Sequence, residues 1–249
     1  MTVYFIGAGP GAADLITVRG QRLLERCPVC LYAGSIMPRD LLAHCPPDAK
    51  IVDTGPLTLE QIVTELADAD AAGHDVARLH SGDPSLYSAL AEQCRRLDAL
   101  GIDYEIVPGV PAFAAAAAAL KRELTVPGVA QTVTLTRIAT LSTPMPPGED
   151  LATLAKSGAT LVLHLAAAQI DKIVPELLSG GYRPETPTAV VAFASWPQQT
   201  VLRGTLAGIA AQMRDANVTK TAVIIVGDAL AADGFTDSYL YSAARREAH

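Results

Sequence analysis

Val3-Tyr4-Phe5-Ile6-Gly7-Ala8-Gly9-Pro10-Gly11-Ala12-Ala13-Asp14 decides how the rest of this chain is read. Four β-prone residues run into a turn with three glycines, and a helical pattern starts soon after Thr17. A strand without polar alternation is buried on both faces, as in a parallel sheet. Glycines after such a strand let the backbone approach a ligand closely, because they carry no Cβ and tolerate φ > 0. Gly7-x-Gly9-x-x-Ala12 also satisfies the dinucleotide fingerprint G-x-G-x-x-G/A. Two features oppose that reading. Pro10 removes an N–H from the loop that would cradle a pyrophosphate. The next strand-like run, Val29 to Tyr32, ends in Ala33-Gly34 where a ribose-binding acid belongs. A purely structural glycine turn is the third reading of the same residues.

Working outward, strand and helix patterns alternate through the first half. Val18 to Arg26 reads as a helix, Pro28 to Tyr32 and Lys50 to Thr54 as strands, and Thr58 precedes an amphipathic helix closing near Gly73. Val76 to His80 is a strand broken by Ser81-Gly82-Asp83-Pro84. Leu86, Leu90, Cys94 and Leu97 then form one apolar stripe, which places a helix from near Ser85 to Gly101. Tyr104 to Val107 is a strand, and an alanine-rich helix runs from Ala112 to Leu120. This alternation predicts a mainly parallel sheet covered on both faces.

The second half changes texture. Thr132 to Arg137, Thr160 to Leu165, Thr188 to Phe193, Thr200 to Thr205 and Ala222 to Val226 read as strands, and a helix near Ile170 to Leu178 is limited or kinked by Pro175. Two α/β domains are expected, with a mixed sheet in the second, over residues 1–112 and 113–249.

Half of the 249 residues are hydrophobic and 18% are charged, so the chain can bury a substantial core. The longest apolar run, near Phe113 to Leu120, is too short to span a bilayer, and no secretory leader pattern opens the chain. A cytoplasmic protein is expected. The net charge of −7 argues against nucleic-acid binding, which needs a basic footprint. Cys27-Pro28-Val29-Cys30 has redox or zinc spacing, yet no second pair completes a metal site and the run lies among apolar residues. No metal is expected.

In open α/β sheets ligands bind beyond the carboxyl ends of strands. Three such ends carry Gly7 to Gly11, Ser81 to Pro84 and Pro108 to Ala112. Converging, they would form a Gly/Pro-rich pocket with one carboxylate, Asp83, suited to a neutral or cationic adenosine-type ligand. The alternative for Asp83 is a cap on the following helix. No hydrolytic or covalent set stands out by spacing, which fits chemistry carried by a reactive cofactor.

Together these residues resemble the tetrapyrrole methylases. Val3 to Thr17, Ser81 to Pro84, Pro108 to Ala112, Thr136-Arg137, Ala194-Ser195-Trp196-Pro197-Gln198 and Thr221 to Gly227 match the family pattern in order. Within the family, Tyr32 to Ser35, Asp53-Thr54-Gly55 and Ser81 to Tyr87 are most similar to the enzymes that methylate C11 of precorrin-4. The resemblance implies an S-adenosyl-methionine-dependent methyltransferase of cobalamin synthesis, acting as a homodimer, with the cofactor folded into a cleft between two α/β domains of the class III methyltransferase type. It implies cofactor contacts at Pro10, Ser81, Gly82, Asp83, Leu86, Pro111, Ala112, Leu165, Ala194 and Ala222. Pro111 stands where relatives often have Ser or Thr, and Leu165 where many have Met. Arg137 is the candidate for a substrate carboxylate, ahead of Arg39, Arg122 and Lys220. Asp14 and Asp83 could influence proton loss, and no catalytic base is assigned. A nicotinamide- or flavin-dependent oxidoreductase and a non-catalytic tetrapyrrole carrier are the rival classes.

Overall fold

A computed structural model describes residues 1–34, 37–140 and 143–238, and every structural statement below concerns these. The chain divides into two compact units, Met1–Ala115 and from Ala116 onward.

The first unit contains β1 (Thr2–Gly7), α1 (Val18–Leu24), β2 (Val29–Tyr32), β3 (Lys50–Asp53), α2 (Leu59–Ala71), β4 (Val76–His80), α3 (Leu90–Leu100), β5 (Asp103–Val107) and the start of α4 (Ala112–Leu120). The sheet order is β3-β2-β4-β1-β5, and every neighbouring pair is parallel. The period of two along β1 explains how both faces are filled. Tyr4, Ile6 and Ala8 join Leu23, Leu24 and Cys30 on one face, while Val3 and Phe5 join Ile62, Leu66 and Leu97 on the other. Truncating a fully buried anchor such as Leu66 to Ala should therefore destabilise by about 2–5 kcal/mol. Thr58 starts α2 with a capping box, its hydroxyl accepting from Gln61 N while Gln61 Oε1 accepts from Thr58 N.

The apolar stripe after Pro84 is shorter than its sequence pattern. Helix α3 begins at Leu90, so Leu86 lies in a turn before it, and Ala89 precedes the helix in a left-handed conformation at φ 54°. The cause is polar: the Asp83 carboxylate and the Ser88 hydroxyl bond within residues 83–88 and hold that backbone out of the helix. Cys94 packs on the apolar cluster, as its place on the stripe implies.

The second unit holds β6 (Val133–Thr136), α5 (Leu151–Ala155), β7 (Thr160–Leu163), α6 (Ile170–Gly180), β8 (Pro187–Ala192), β9 (Thr200–Thr205), α7 (Leu206–Asp215) and β10 (Ala222–Val226). Its sheet runs β6-β7-β10-β8-β9, with β6 parallel to β7 and the other pairs antiparallel. The sheet is mixed, as the texture of the sequence implies. Leu161, Leu163, Val190, Ile224 and Val226 pack against Ile173, Leu177, Ile209 and Met213 in one cluster.

Two helices here go beyond the sequence expectation. Asp150 caps the short α5 by accepting from Thr153 N at 2.9 Å. Leu206, Ile209 and Met213 give α7 its buried stripe, although Gly208 weakens the local propensity. Pro175 does not end α6. It is exposed, and so is Asp171, whose carbonyl loses the bond that a non-proline residue would supply. Solvent can satisfy that carbonyl while buried Ile173 and Leu177 hold the helix on either side of the proline.

Candidate active site

Three adjacent strands, β4, β1 and β5, end together at one edge of the first sheet, and their loops are joined through the backbone. Ala8 N donates to His80 O at 2.8 Å, Gly9 N to Gly82 O at 3.2 Å and Gly82 N to Gly9 O at 2.8 Å. Gly9 and Gly82 hold φ of 80° and 69°, values that a side chain disfavours. Gly7 and Gly109 are glycines for a different reason. A Cβ on Gly7 would sit 2.5 Å from Gly109 Cα, and one on Gly109 would sit 2.3 Å from Gly82 O. The convergence expected of the three loops is therefore a close backbone contact, and Pro111 and Ala112 lie beside it, 3.7–3.8 Å from the Cβ direction of Gly82.

Asp83 does not cap α3. Its Oδ2 accepts from Gly109 N at 2.8 Å, and its Oδ1 accepts from Ser85 N at 2.8 Å and from the Ser85 hydroxyl. Burial opposes its charge, but the Ser85 hydroxyl and the N–H groups of Gly109 and Ser85 outweigh it and hold the carboxyl below its usual range. Asp83 thus ties the β4 loop to the β5 loop. Pro10 is buried, Ser81 and Leu86 are half-buried, and Asp14 is exposed.

The dinucleotide reading fails on local geometry. After Gly9 the chain enters a 3-10 turn at Ala13–Leu15, and α1 starts only at Val18. A helix N-terminus immediately behind the glycines, which would receive a pyrophosphate, is missing from that position.

Beneath the same edge lies a polar layer that the sequence did not reveal. Arg78, 5% exposed, donates from Nε to Gln93 Oε1 at 3.1 Å and from an amino group to Thr54 Oγ1 at 3.0 Å. Burial lowers its pKa to about 10. Beside it His80 is brought down to about 3 by burial first and by Arg78 second, against a raising bond from the Ser88 backbone. Its Nε2 has no hydrogen-bond partner. The alternation that placed Arg78 and His80 on one face of a fully buried strand was readable, but such a face is normally apolar.

In the second unit the remaining candidates share an edge of their own. Strand register sets Ala222 opposite Ala192 of β8, and Ile224 opposite Leu163 of β7, so Leu165 and Ala194 extend beyond the same rim. Arg137 follows Thr136, which pairs with Leu163 in the parallel direction, and reaches that rim as well. Leu165 is 65% exposed and held at φ 53°, and Phe193, Ser195 and Thr221 around it are also left-handed at 50°, 67° and 51°. Each such residue costs on the order of 1–3 kcal/mol, and clusters of them mark functional sites. Arg137 donates to Thr143 O at 3.1 Å and lines a cavity of about 320 Å³ with Met145, Glu149, Lys172 and Glu176. Arg122 is engaged by Ala232 O and Asp233, while Arg39 and Lys220 are exposed.

Cys27 and Cys30 are buried among apolar side chains, and burial pushes the Cys27 thiol up to about 12. Among the described residues no cluster of three metal-ligating side chains occurs, and no helix is long and apolar enough to cross a membrane.

The pattern of the family Tetrapyrrole (Corrin/Porphyrin) Methylases matches residues 2–210. The chain is a tetrapyrrole methylase. The methylase is 86% identical over 98% of both chains to the precorrin-4 C(11)-methyltransferase of Mycobacterium tuberculosis strain H37Rv. A solved cobalt precorrin-4 methyltransferase, a cobalamin biosynthetic enzyme, superposes with TM-score 0.90 at 41% identity, covering 92% of the methylase and 95% of that chain. The uroporphyrin-III C-methyl transferase of Thermus thermophilus, solved with S-adenyl homocysteine, gives 0.78 at 29% identity over 92% and 93%. The fold is therefore of the class III methyltransferase type, with a parallel first sheet and a mixed second one.

Proposed function

We propose that this methylase transfers a methyl group from S-adenosyl-methionine to C11 of precorrin-4 in cobalamin biosynthesis. The observation that carries this reading is 86% identity over 98% of the chain to a precorrin-4 C(11)-methyltransferase. The glycine cradle supports it: the close backbone packing of Gly7, Gly9, Gly82 and Gly109 fixes the three loops that carry the proposed first-unit cofactor contacts. When bound, S-adenosyl-methionine supplies an electrophilic methyl group. The chain's own task is then to hold the ring carbon in line, and positioning accounts for most of the acceleration.

Cofactor contacts are proposed at Pro10, Ser81, Gly82, Asp83, Leu86, Pro111 and Ala112 in the first unit and at Leu165, Ala194 and Ala222 in the second. Asp83 serves chiefly by locking the loops that carry Gly82 and Gly109. Arg137 is proposed to pair with a substrate carboxylate. We further propose a cytoplasmic homodimer without nucleic-acid or membrane partners; sedimentation at micromolar concentration showing only a 26 kDa species would reject the dimer.

Incubation with precorrin-4 and methyl-labelled cofactor, followed by carbon NMR, tests the assignment. Label at C11 is expected. Turnover confined to uroporphyrinogen III or precorrin-2 would remove the C11 step. In the same assay Arg137→Ala should raise KM for the tetrapyrrole and leave KM for the cofactor unchanged.

A further inference from the structure

Asp53 ends β3, at the same carboxyl-end rim of the parallel sheet as the glycine cradle. It is exposed, yet its carboxylate is not free to rotate. Oδ1 accepts from Gly34 N at 3.0 Å and from Gly55 N at 2.8 Å, so two loops clamp one oxygen. The other oxygen fills the space over Gly34, where a Cβ would lie 2.3 Å from Oδ2. Gly34 is thus required by the carboxylate and not by a left-handed backbone, since its φ is not positive.

The next residue anchors this turn in the core. Thr54 is 5% exposed, donates to Tyr32 O at 3.0 Å and accepts from the buried Arg78 guanidinium. The Gly55 and Gly34 N–H groups lower the carboxyl pKa, with a smaller contribution from Arg39, so the group is an anion at any working pH. An exposed aspartate that only closed a turn would not need a second loop and a glycine vacated for its outer oxygen. From β3 to β1 is three strand spacings, roughly 14 Å at about 4.8 Å each. A tetrapyrrole macrocycle lying along the rim bridges such a distance.

We infer that Asp53 is a specificity-determining residue that accepts hydrogen bonds on Oδ2 from the pyrrolic N–H groups of the tetrapyrrole. The inference rests on the methylase reading above. A fixed anion at this point repels the peripheral acetates and propionates and admits only the nitrogen-bearing core, which restricts the macrocycle's orientation. It also acts on the reaction. As the ring carbon's electron pair forms the new C–C bond and the S–C bond breaks, positive charge moves onto the macrocycle and is shared by its nitrogens. The N–H that carries this charge donates to Oδ2 without transferring its proton, which leaves later to water. Charge that develops in the transition state is where a preorganised acceptor is most effective.

Asp53→Asn keeps the shape and the Oδ1 acceptor and removes the charge. Tetrapyrrole affinity without cofactor, read by absorbance titration, should fall about 10-fold, and kcat/KM about 10–100-fold, as for a lost charged hydrogen bond. S-adenosyl-homocysteine affinity by calorimetry should stay within about twofold, the precision expected where no cofactor contact is lost. Gly34→Ala, which crowds the Asp53 carboxylate and Oδ2 most closely, should shift the same two quantities in the same direction. Unchanged tetrapyrrole binding and turnover in both variants would overturn the inference. So would a parallel loss of S-adenosyl-homocysteine affinity, which would make Asp53 part of the cofactor site or of the fold. If wild type turns over a different tetrapyrrole, the C11 assignment fails while Asp53→Asn, assayed on that substrate, still decides the inference.

Discussion

At the rim of the first sheet the close contacts are made by Gly7, Gly9, Gly82 and Gly109, whereas at the rim of the second the left-handed positions are filled by Leu165, Phe193, Ser195 and Thr221. Both rims gather strand ends, yet the loop-to-loop contacts of the first omit side chains, with left-handed Tyr87 and Ala89 only farther along the β4 loop, and the second keeps side chains under strain at the strand ends themselves. Where two backbones must touch, any Cβ collides, and glycine is the only solution. Where the backbone is merely turned, a side chain is tolerable at about 1–3 kcal/mol, and it is retained only if its surface is used. Leu165, mostly exposed and apolar, is the clearest instance.

The severest test of this contrast is Gly109→Ala. Its Cβ meets backbone on two sides, so the loops must separate, at about 3 kcal/mol of stability or more. A thermal midpoint lower by about 6–12 °C, with S-adenosyl-homocysteine binding lost, is expected by calorimetry; an unchanged protein would mean the loops are not in contact.

Acid should then distinguish the two rims. His80, at the first, titrates near 3 in the native state against 6.5 for a free histidine. The unfolded chain therefore binds the proton first: stability is whole above about pH 6.5 and is lost as pH falls toward 3. His164, at the second, is lowered by burial. Between pH 7 and pH 4, the unfolding free energy of His80→Gln from urea titration should fall about 2–3 kcal/mol less than that of wild type. The corresponding difference for His164→Gln should be smaller; equal differences would remove Arg78 as the distinguishing influence.

Asp83→Asn presents an amide to Gly109 N–H and loses a charged hydrogen bond, a cost of about 1.5–3 kcal/mol. Some tens-fold weaker S-adenosyl-homocysteine binding is expected, with a modest fall in melting temperature. A fall in melting temperature alone would confine Asp83 to holding the loops.

The smallest effect sharpens the other side. Leu165→Gly relieves the left-handed strain, so the melting temperature should hold or rise by about 2–4 °C. Cofactor affinity should nevertheless fall several-fold. If affinity holds, the strained leucine has no binding surface to offer and the contrast loses its functional meaning.

Much of the fold was legible because its signals are local. The apolar run in β1, the capping box at Thr58 and the alanine helix from Ala112 follow from neighbours within a few residues. The spacing of Leu86 extends the expected helix too far toward Pro84, while the competing bonds of Asp83 and Ser88 are side-chain choices. Helix α7 is not legible locally because Gly208 interrupts a stripe whose burial is supplied by α6 and β8.

The sequence by itself determined two α/β sheets, parallel then mixed, and the glycine-bearing loops that end three strands, since periodicity and turn chemistry act over short distances. It also placed the chain among the tetrapyrrole methylases through motifs kept in order. Only the tertiary structure decided what Asp83, Arg78 and Asp53 are bonded to. Those bonds join residues 26, 24 and 19 positions apart. They depend on the strand order β3-β2-β4-β1-β5, which puts β4 rather than β2 beside β1 and so brings Gly82 against Gly9. No local pattern encodes that order, because it arises from how helices on both faces carry the chain across the sheet.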